Sequence, residues 1–77
     1  MMTVETVERC LDEGREALVM LAGLAVEGTR TRGEVYERAQ AEHDALVSLL
    51  DEAPESEHGK IHDLLLRYDM FMKSLVN

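Results

Sequence analysis

A chain of 77 residues with a formal net charge of −8 provides one small domain, and its charge disfavours contact with nucleic acid or anionic lipid. Cys10 is the only cysteine, so no internal disulfide can form. No basic segment precedes an apolar stretch at the N-terminus, and the longest apolar run, Ala17 to Val26, is too short to span a bilayer. We therefore expect a cytoplasmic protein with no nucleic-acid or membrane partner.

The first predicted helix covers residues 3 to 27. Thr3 is a suitable N-cap, and Gly28, just beyond the helix, is a suitable C-terminal stop. Between them, apolar residues and one glycine recur at alternating steps of three and four, which is the pattern of one buried stripe. The stripe comprises Val4, Val7, Leu11, Gly14, Leu18, Leu21 and Ala25. Acidic residues off this stripe predict a solvated acidic flank. The flank comprises Glu5, Glu8, Asp12 and Glu16.

The second predicted helix covers residues 32 to 53. Thr31 followed three residues later by Glu34 matches the capping box, in which each residue satisfies a free donor of the other. Pro54 disfavours a helical conformation in the residue before it, so the helix is expected to end there. The predicted buried stripe comprises Tyr36, Ala39, His43, Leu46, Leu50 and Ala53, flanked by Val35, Val47 and Leu49.

The third predicted helix covers residues 57 to 76, with Ser56 as its candidate cap. Its apolar residues again recur at helical spacing. The predicted stripe comprises Ile61, Leu64, Tyr68, Phe71 and Leu75, and Leu65 and Met72 widen it.

No segment alternates apolar and polar residues as a half-buried strand would. Short connections between helices favour antiparallel neighbours. We therefore predict an all-α fold, a small antiparallel three-helix bundle with up-down-up topology, forming a single domain over residues 1–77. The alternative is a long helical hairpin that dimerises.

The second halves of helices 1 and 3 carry more large apolar residues than one stripe can bury. In an up-down-up bundle these two halves lie at the same end, because helices 1 and 3 are parallel. We expect an apolar patch there that binds a partner, since large exposed apolar patches mark interaction sites. The patch comprises Val19, Met20, Val26, Leu66, Met70 and Val76, with Tyr36 nearby. The alternative is that tilted helices bury most of these residues inside the bundle.

The candidates for chemistry are few. His58 and His62 are four residues apart and, with Cys10, could supply zinc ligands, but Gly59 stands where a zincin helix has its glutamate. Solvated histidines and a small buried thiol are the preferred interpretation. His43 is interpreted as a partly buried core histidine rather than a general base. We expect no catalytic residue, no metal site and no cofactor.

One segment of helix 2 resembles the signature of the sporulation-type aspartyl-phosphate phosphatases, which is close to Ser-Gln-Glu-Leu-Asp-x-Leu-Ile. The comparable segment is Gln40 to Val47, in which Glu42, Asp44 and Leu46 match. The Ser-Gln pair and the leucine before the aspartate are absent. The resemblance covers residues 13 to 50, with Glu13, Arg15 and Leu18 similar to the first helix of that family, and leaves the third helix unexplained. It implies a helical hairpin in which Asp44 is the residue to test.

These features favour a non-catalytic protein that binds a protein partner and inhibits or sequesters it. Small acidic helical immunity proteins and antitoxins are similar in size and charge, although no motif supports that comparison. The charge favours a basic partner. A small helical chaperone or assembly subunit of a secretion-type system is the alternative, and a phosphatase-like regulator is the third. We also expect a homo-oligomer, because a domain this small buries little surface alone.

Overall fold

A computed structural model describes residues 2–28 and 30–76; Met1, Thr29 and Asn77 of the predicted domain lie outside the described residues. The helices are α1 (Val4–Glu27), α2 (Arg32–Glu52) and α3 (His58–Val76), with a short 3-10 turn at Glu55–Glu57. The described part of the chain contains no strand. Each helix begins and ends within one residue of the bounds expected from the sequence.

Both ends of α1 are capped by local interactions. The hydroxyl of Thr3 accepts a hydrogen bond from the backbone N–H of Thr6 at 3.3 Å. Gly28 adopts a left-handed conformation with φ of 71°, and its N–H donates to the carbonyl of Leu24. Any other residue would be strained at this φ, so the glycine ends the helix for a conformational reason.

The N-terminus of α2 has the predicted cap with one difference in detail. The Thr31 hydroxyl accepts from the Glu34 backbone N–H at 3.1 Å and donates to the Glu34 carboxylate at 3.1 Å. The Glu34 side chain thus contacts the hydroxyl of Thr31, whereas in a capping box it contacts the backbone N–H of the cap residue. The other end of α2 stops at Glu52, and Ala53 is extended, as expected for a residue before proline.

The residues that precede α3 differ from the predicted cap. The Glu55–Glu57 turn lies between Pro54 and α3, so α3 begins at His58 and the predicted cap residue Ser56 lies inside the turn. In the turn, the Glu57 N–H donates to the Pro54 carbonyl at 2.9 Å, and the His58 N–H donates to the Glu55 carbonyl. Glu57, the last residue of this turn, has a buried side chain.

Contacts between the helices establish the topology. Lys60 and Tyr68 of α3 contact Glu8 and Gly14 of α1 in the same order along the chain, so these two helices are parallel. The Met2 N–H, just before the start of α1, donates to the carbonyl of Glu52, the last residue of α2. The start of α1 therefore lies beside the end of α2, and these two helices are antiparallel. The predicted all-α, up-down-up three-helix bundle is confirmed, and the two-helix hairpin is not the observed fold.

The core is aliphatic around one tyrosine. Tyr68, Leu11, Ile61 and Leu64 are the largest fully buried side chains. The buried apolar residues are Val7, Leu11, Leu21, Val35, Ala39, Leu46, Leu49, Ala53, Ile61, Leu64, Leu65, Tyr68, Met72 and Leu75. This composition matches a small bundle whose stability comes from packing complementary helix faces.

The buried face of α2 is rotated relative to the predicted stripe. Val35 and Leu49, expected at its edge, are buried, whereas Tyr36 and Leu50 are half-buried. The prediction was wrong here because alanines in the stripe leave its direction poorly defined, and contact with two helices then decides which residues face inward. In α3, Leu65 and Met72 are buried and Phe71 is half-buried, so that stripe is also shifted.

Gly14 of α1 lies close to side chains of both other helices. A Cβ atom at this position would lie 3.0 Å from the Leu64 Cδ2 and 3.7 Å from the Leu46 Cδ2. The Tyr68 hydroxyl also donates a hydrogen bond to the Gly14 carbonyl. The absence of a side chain therefore allows α3 and α2 to approach the middle of α1.

Candidate interaction surface

The six large residues of the predicted apolar patch are all exposed. Val26 retains 88% of its accessible surface, and Met20 and Leu66, the least exposed of the six, each retain 57%. The alternative that tilted helices bury most of them is therefore wrong. Tyr36 differs from the six because it is half-buried and packs against the core.

These exposed residues do not share one helix face. At about 100° per residue, Val19 and Val26 lie on one side of α1, and Met20 lies about 100° around the helix from Val19. On α3, Leu66 and Met70 lie one turn apart and share a face. Val76 lies about 120° from Met70 by the same period. The apolar patch is thus a set of smaller surfaces on separate helix faces, and Leu66, one turn before Met70, lies near the middle of α3.

Met20 belongs to a groove between α1 and α2. One part of this groove, of about 270 Å³, is lined by residues of both helices and of their connection: Ala17, Met20, Leu21, Leu24, Arg30, Arg38 and Glu42. A second cavity, of about 160 Å³, is lined by Cys10, Glu13, Gly14, Glu42, Ala45, Leu46 and Leu49. Glu42 is the one lining residue that the two cavities share, and we call the two cavities together the α1–α2 groove.

The lining of the groove carries both charges, with carboxylates at Glu13 and Glu42 and guanidinium groups at Arg30 and Arg38. Within residues 2–28 and 30–76, no basic side chain lies within ion-pair distance of Glu13 or Glu42. Arg30 lies 3.6 Å from Glu34 across its own helix start. The sequence analysis did not predict this groove, although Cys10, Ala17, Met20 and Leu24 of its lining recur at helical spacing in helix 1.

The predicted acidic flank is exposed, and part of it forms ion pairs with basic side chains of the same chain. Its four residues, Glu5, Glu8, Asp12 and Glu16, are all exposed. Lys60 of α3 contacts Glu8 at 3.3 Å, and Arg15 contacts Asp12 at 3.0 Å. The hydrogen bond to Glu8, with the nearby charge of Glu57, raises the pKa of Lys60 above its usual range. Half of the flank is therefore already balanced by basic residues of the chain itself.

Glu57 is a buried carboxylate that the sequence did not indicate. It is 5% exposed, and one carboxylate oxygen lies 3.6 Å from the Lys60 Nζ. Its other oxygen, Oε1, is buried without a hydrogen-bond partner among the described residues. Lys60 therefore links Glu8 of α1 and Glu57 of the 3-10 turn at the start of α3.

Tyr68 connects the core to the groove. Its hydroxyl donates to the Gly14 carbonyl, and the residue is fully buried. Burial, with a smaller contribution from the charge of Glu42, raises the pKa of Tyr68 to about 12. The phenol therefore stays protonated at neutral pH and serves as a hydrogen-bond donor.

His43 joins α2 to α3. Its Nε2 lies 3.1 Å from the Asp69 Oδ1, and its Nδ1 lies 3.6 Å from the Asp44 Oδ1. The ring is half-buried, as the sequence predicted, and Nδ1 has no hydrogen-bond partner among the described residues. The sequence did not identify Asp69 as its partner because the two residues lie on different helices.

The other candidate metal-binding and catalytic residues do not form a cluster. His58 pairs its Nε2 with the Ala53 carbonyl at 3.1 Å, His62 is exposed, and Cys10 lines the α1–α2 groove. Within residues 2–28 and 30–76, no group of three or more His, Cys, Asp or Glu residues could hold a metal ion. Asp44, the residue implied by the phosphatase resemblance, is exposed and accepts a hydrogen bond from Gln40.

No helix in the described part of the chain combines the length and the hydropathy that a bilayer-spanning segment needs. Comparisons of the chain with protein-family models, with curated proteins and with solved structures found no match in any of the three.

Proposed function

We propose that this chain is a non-catalytic, cytoplasmic binding protein that inhibits or sequesters a protein partner. The observation that supports the proposal is the exposure of six large aliphatic side chains in a 77-residue chain. Such side chains gain free energy when a partner removes them from water, at about 25 cal/mol per Å² of apolar surface. Methionine suits this role because its flexible thioether adapts to the shape of a partner.

The charge of the chain supports a basic partner. A net charge of −8 gives long-range attraction to a basic surface, which raises the association rate more than the final affinity. In this proposal the apolar residues supply most of the affinity. Glu5 and Glu16 carry no ion pair within the described residues, so they remain available for a basic partner.

The second candidate function is that of a small chaperone or assembly subunit that shields a helix of its client. The α1–α2 groove favours it, because a groove between two helices accepts the apolar face of a third. The two functions differ in their outcome. An inhibitor forms a stoichiometric complex that abolishes the activity of the partner, whereas a chaperone keeps its client soluble.

The test is affinity capture from lysate of the source organism with the wild type, Met20→Glu and Met70→Glu. Val47→Glu is the matched control, because Val47 is also an exposed apolar residue but lies outside the apolar patch. We expect one protein to co-purify at fixed stoichiometry with the wild type and the control, and to be lost from at least one patch variant. If all four chains capture the same proteins equally, the apolar patch is not the binding surface.

A light-scattering measurement on the same four chains tests the expected homo-oligomer. A mass above that of one chain, reduced to one chain by Met70→Glu, supports self-association through the α3 face. A monomeric wild type contradicts the expected homo-oligomer. The capture experiment then tests separately whether the chain binds a different protein.

A further inference from the structure

Helix α3 has an outer face that lies opposite the core. Leu66 is two positions from the buried residues Leu64 and Tyr68, which is about 160° around the helix. Exposed residues recur along this side at alternating steps of four and three, the spacing of a helix face that packs against another helix. The outer face of α3 comprises Gly59, Asp63, Leu66, Met70 and Lys73.

This face has an apolar centre between an acidic and a basic residue. Leu66 and Met70 are 57% and 64% exposed, with Asp63 three residues before the first and Lys73 three residues after the second. Asp63 lies 3.4 Å from Arg67, but both side chains are exposed, so the pair contributes little. Lys73 has no carboxylate within ion-pair distance among the described residues. In chain order the outer face of α3 therefore presents acid, apolar, apolar and base.

That order is complementary to itself when two copies of α3 pair antiparallel. If Leu66 lies opposite Met70 of a second copy, the same register places Asp63 opposite Lys73 of that copy, and a two-fold axis repeats both pairs. A parallel pair in register would instead place each of these charges opposite its own copy. Like charges at an interface are unfavourable, so the charges of this face select the antiparallel arrangement.

The distribution of charge among the helices also favours contact between two copies at α3. This helix carries three basic and two acidic side chains, whereas α1 and α2 each carry six acidic and two basic ones. Because the outer face of α3 lies opposite the core, pairing through it keeps α1 and α2 of the two copies on the outer sides of the dimer. The excess negative charge of the two chains is thus kept apart, and salt at physiological concentration screens it beyond about 8 Å.

We propose that the chain forms a homodimer in which the outer faces of two α3 helices pair antiparallel, with the two-fold axis at the level of Tyr68. The inference specifies the homo-oligomer expected under the proposed function and rests on the binding role given there to Met70. Leu66 and Met70 of both chains form the apolar centre of the interface, and an Asp63–Lys73 pair lies at each end. One helix from each chain makes a small interface, below about 1,200 Å², so the dimer exchanges with the monomer in solution.

The test is sedimentation equilibrium of the full chain up to millimolar concentration, with charge-reversed variants. Asp63→Lys and Lys73→Asp each place like charges opposite one another at both ends of the interface. We expect each to weaken the dimer at least about tenfold, because two attractive pairs become repulsive at once. Asp51→Lys, the matched control, makes the same change of charge at an exposed position of α2 and should leave the dimer unchanged or slightly tighter. A wild type that is monomeric throughout, or single variants that dimerise as the wild type does, overturns the proposal; the second result is expected of a parallel pair.

Rescue of the dimer separates a specific pairing from damage to the fold. The double variant Asp63→Lys/Lys73→Asp reverses the order of the charges, which is again complementary to itself, and should dimerise about as tightly as the wild type. An equimolar mixture of the two single variants should form a heterodimer, because every charge then faces its opposite. Circular dichroism verifies that each variant is folded. If the folded double variant and the mixture both stay monomeric, Asp63 and Lys73 do not face each other and the proposal is wrong.

The outcomes distinguish this proposal from the proposed function because sedimentation of the purified chain needs no natural partner. A monomeric wild type that still captures a partner refutes the dimer and leaves the binding of that partner standing. A dimer that follows the charge variants as expected, with no partner captured, refutes the inhibitor or sequestering role alone. If Met20→Glu dissociates the dimer while Met70→Glu and the charge variants do not, the two copies meet at α1 and the α3 pairing is overturned.

Discussion

The hydrogen bond from Tyr68 to the Gly14 carbonyl allows a quantitative prediction. Tyr68→Phe removes the hydroxyl and keeps the ring, so the packing of the core is preserved. The Gly14 carbonyl lies inside α1 and still accepts the helical hydrogen bond from the residue four positions later, so it is not left without a partner. We therefore expect a loss of about 1 kcal/mol in the free energy of unfolding at pH 7, or about 4–8 °C in Tm.

Because the Tyr68 hydroxyl ionises at high pH, the difference in unfolding free energy between the wild type and Tyr68→Phe depends on pH. The pKa of Tyr68 is about 12 in the folded chain against 10.0 for a free tyrosine, chiefly because of burial. The folded state therefore keeps a proton that the unfolded state has released, and stability falls as pH rises from 10 to 12. The loss is about 1.4 kcal/mol by pH 11. At about this pH the wild type and Tyr68→Phe should become equally stable.

The assay is urea unfolding followed by circular dichroism at intervals from pH 7 to pH 11.5, with Tyr36→Phe as the control for the same chemical change at a half-buried site. Lys60, whose pKa is also raised, contributes stability below its unfolded value of 10.5 that is lost above it, and this loss is common to all three chains. A difference between wild type and Tyr68→Phe that stays constant up to pH 11.5 would refute the assignment of the buried donor.

Three further changes test the caps and the distinction between core and surface. Thr31→Ala removes the hydroxyl that accepts the Glu34 N–H, and thermal unfolding should show a loss of about 1 kcal/mol. Gly28→Ala places a side chain at φ of 71°, so a loss of about 1 kcal/mol is expected in the same measurement, and an unchanged Tm would contradict the strained cap. Leu64→Ala, in the core, should cost about 2–5 kcal/mol by urea unfolding, whereas Leu66→Ala should stay within about 0.5 kcal/mol; similar losses for both would mean that the exposed face of α3 is covered.

The local features of the fold were predictable because they depend on neighbours in sequence. The Thr31 cap, the Gly28 stop and the break at Pro54 each act within one helical turn, so the residues alone specify them. The exposure of Val19 and Met70 followed from the same periodicity, because neither falls on the stripe that the core uses. Their role in binding remains a prediction.

The surface that the proposals use was only partly predictable. The sequence predicted that these apolar residues would be exposed together at one end of the bundle; the structure shows all six exposed, but on separate helix faces. It could not separate Met20, which faces α2 in the groove, from Val19, because that distinction depends on where the second helix lies.

What the sequence determined by itself was the helical class, the three helices and their ends, through spacing and capping chemistry that act over three or four residues. What the tertiary structure decided was which side of each helix faces which neighbour. The burial of Glu57, the pairing of His43 with Asp69 and the opening of the α1–α2 groove all follow from that choice. The His43–Asp69 pair and the groove bring together residues of different helices, so their geometry depends on how the helices pack.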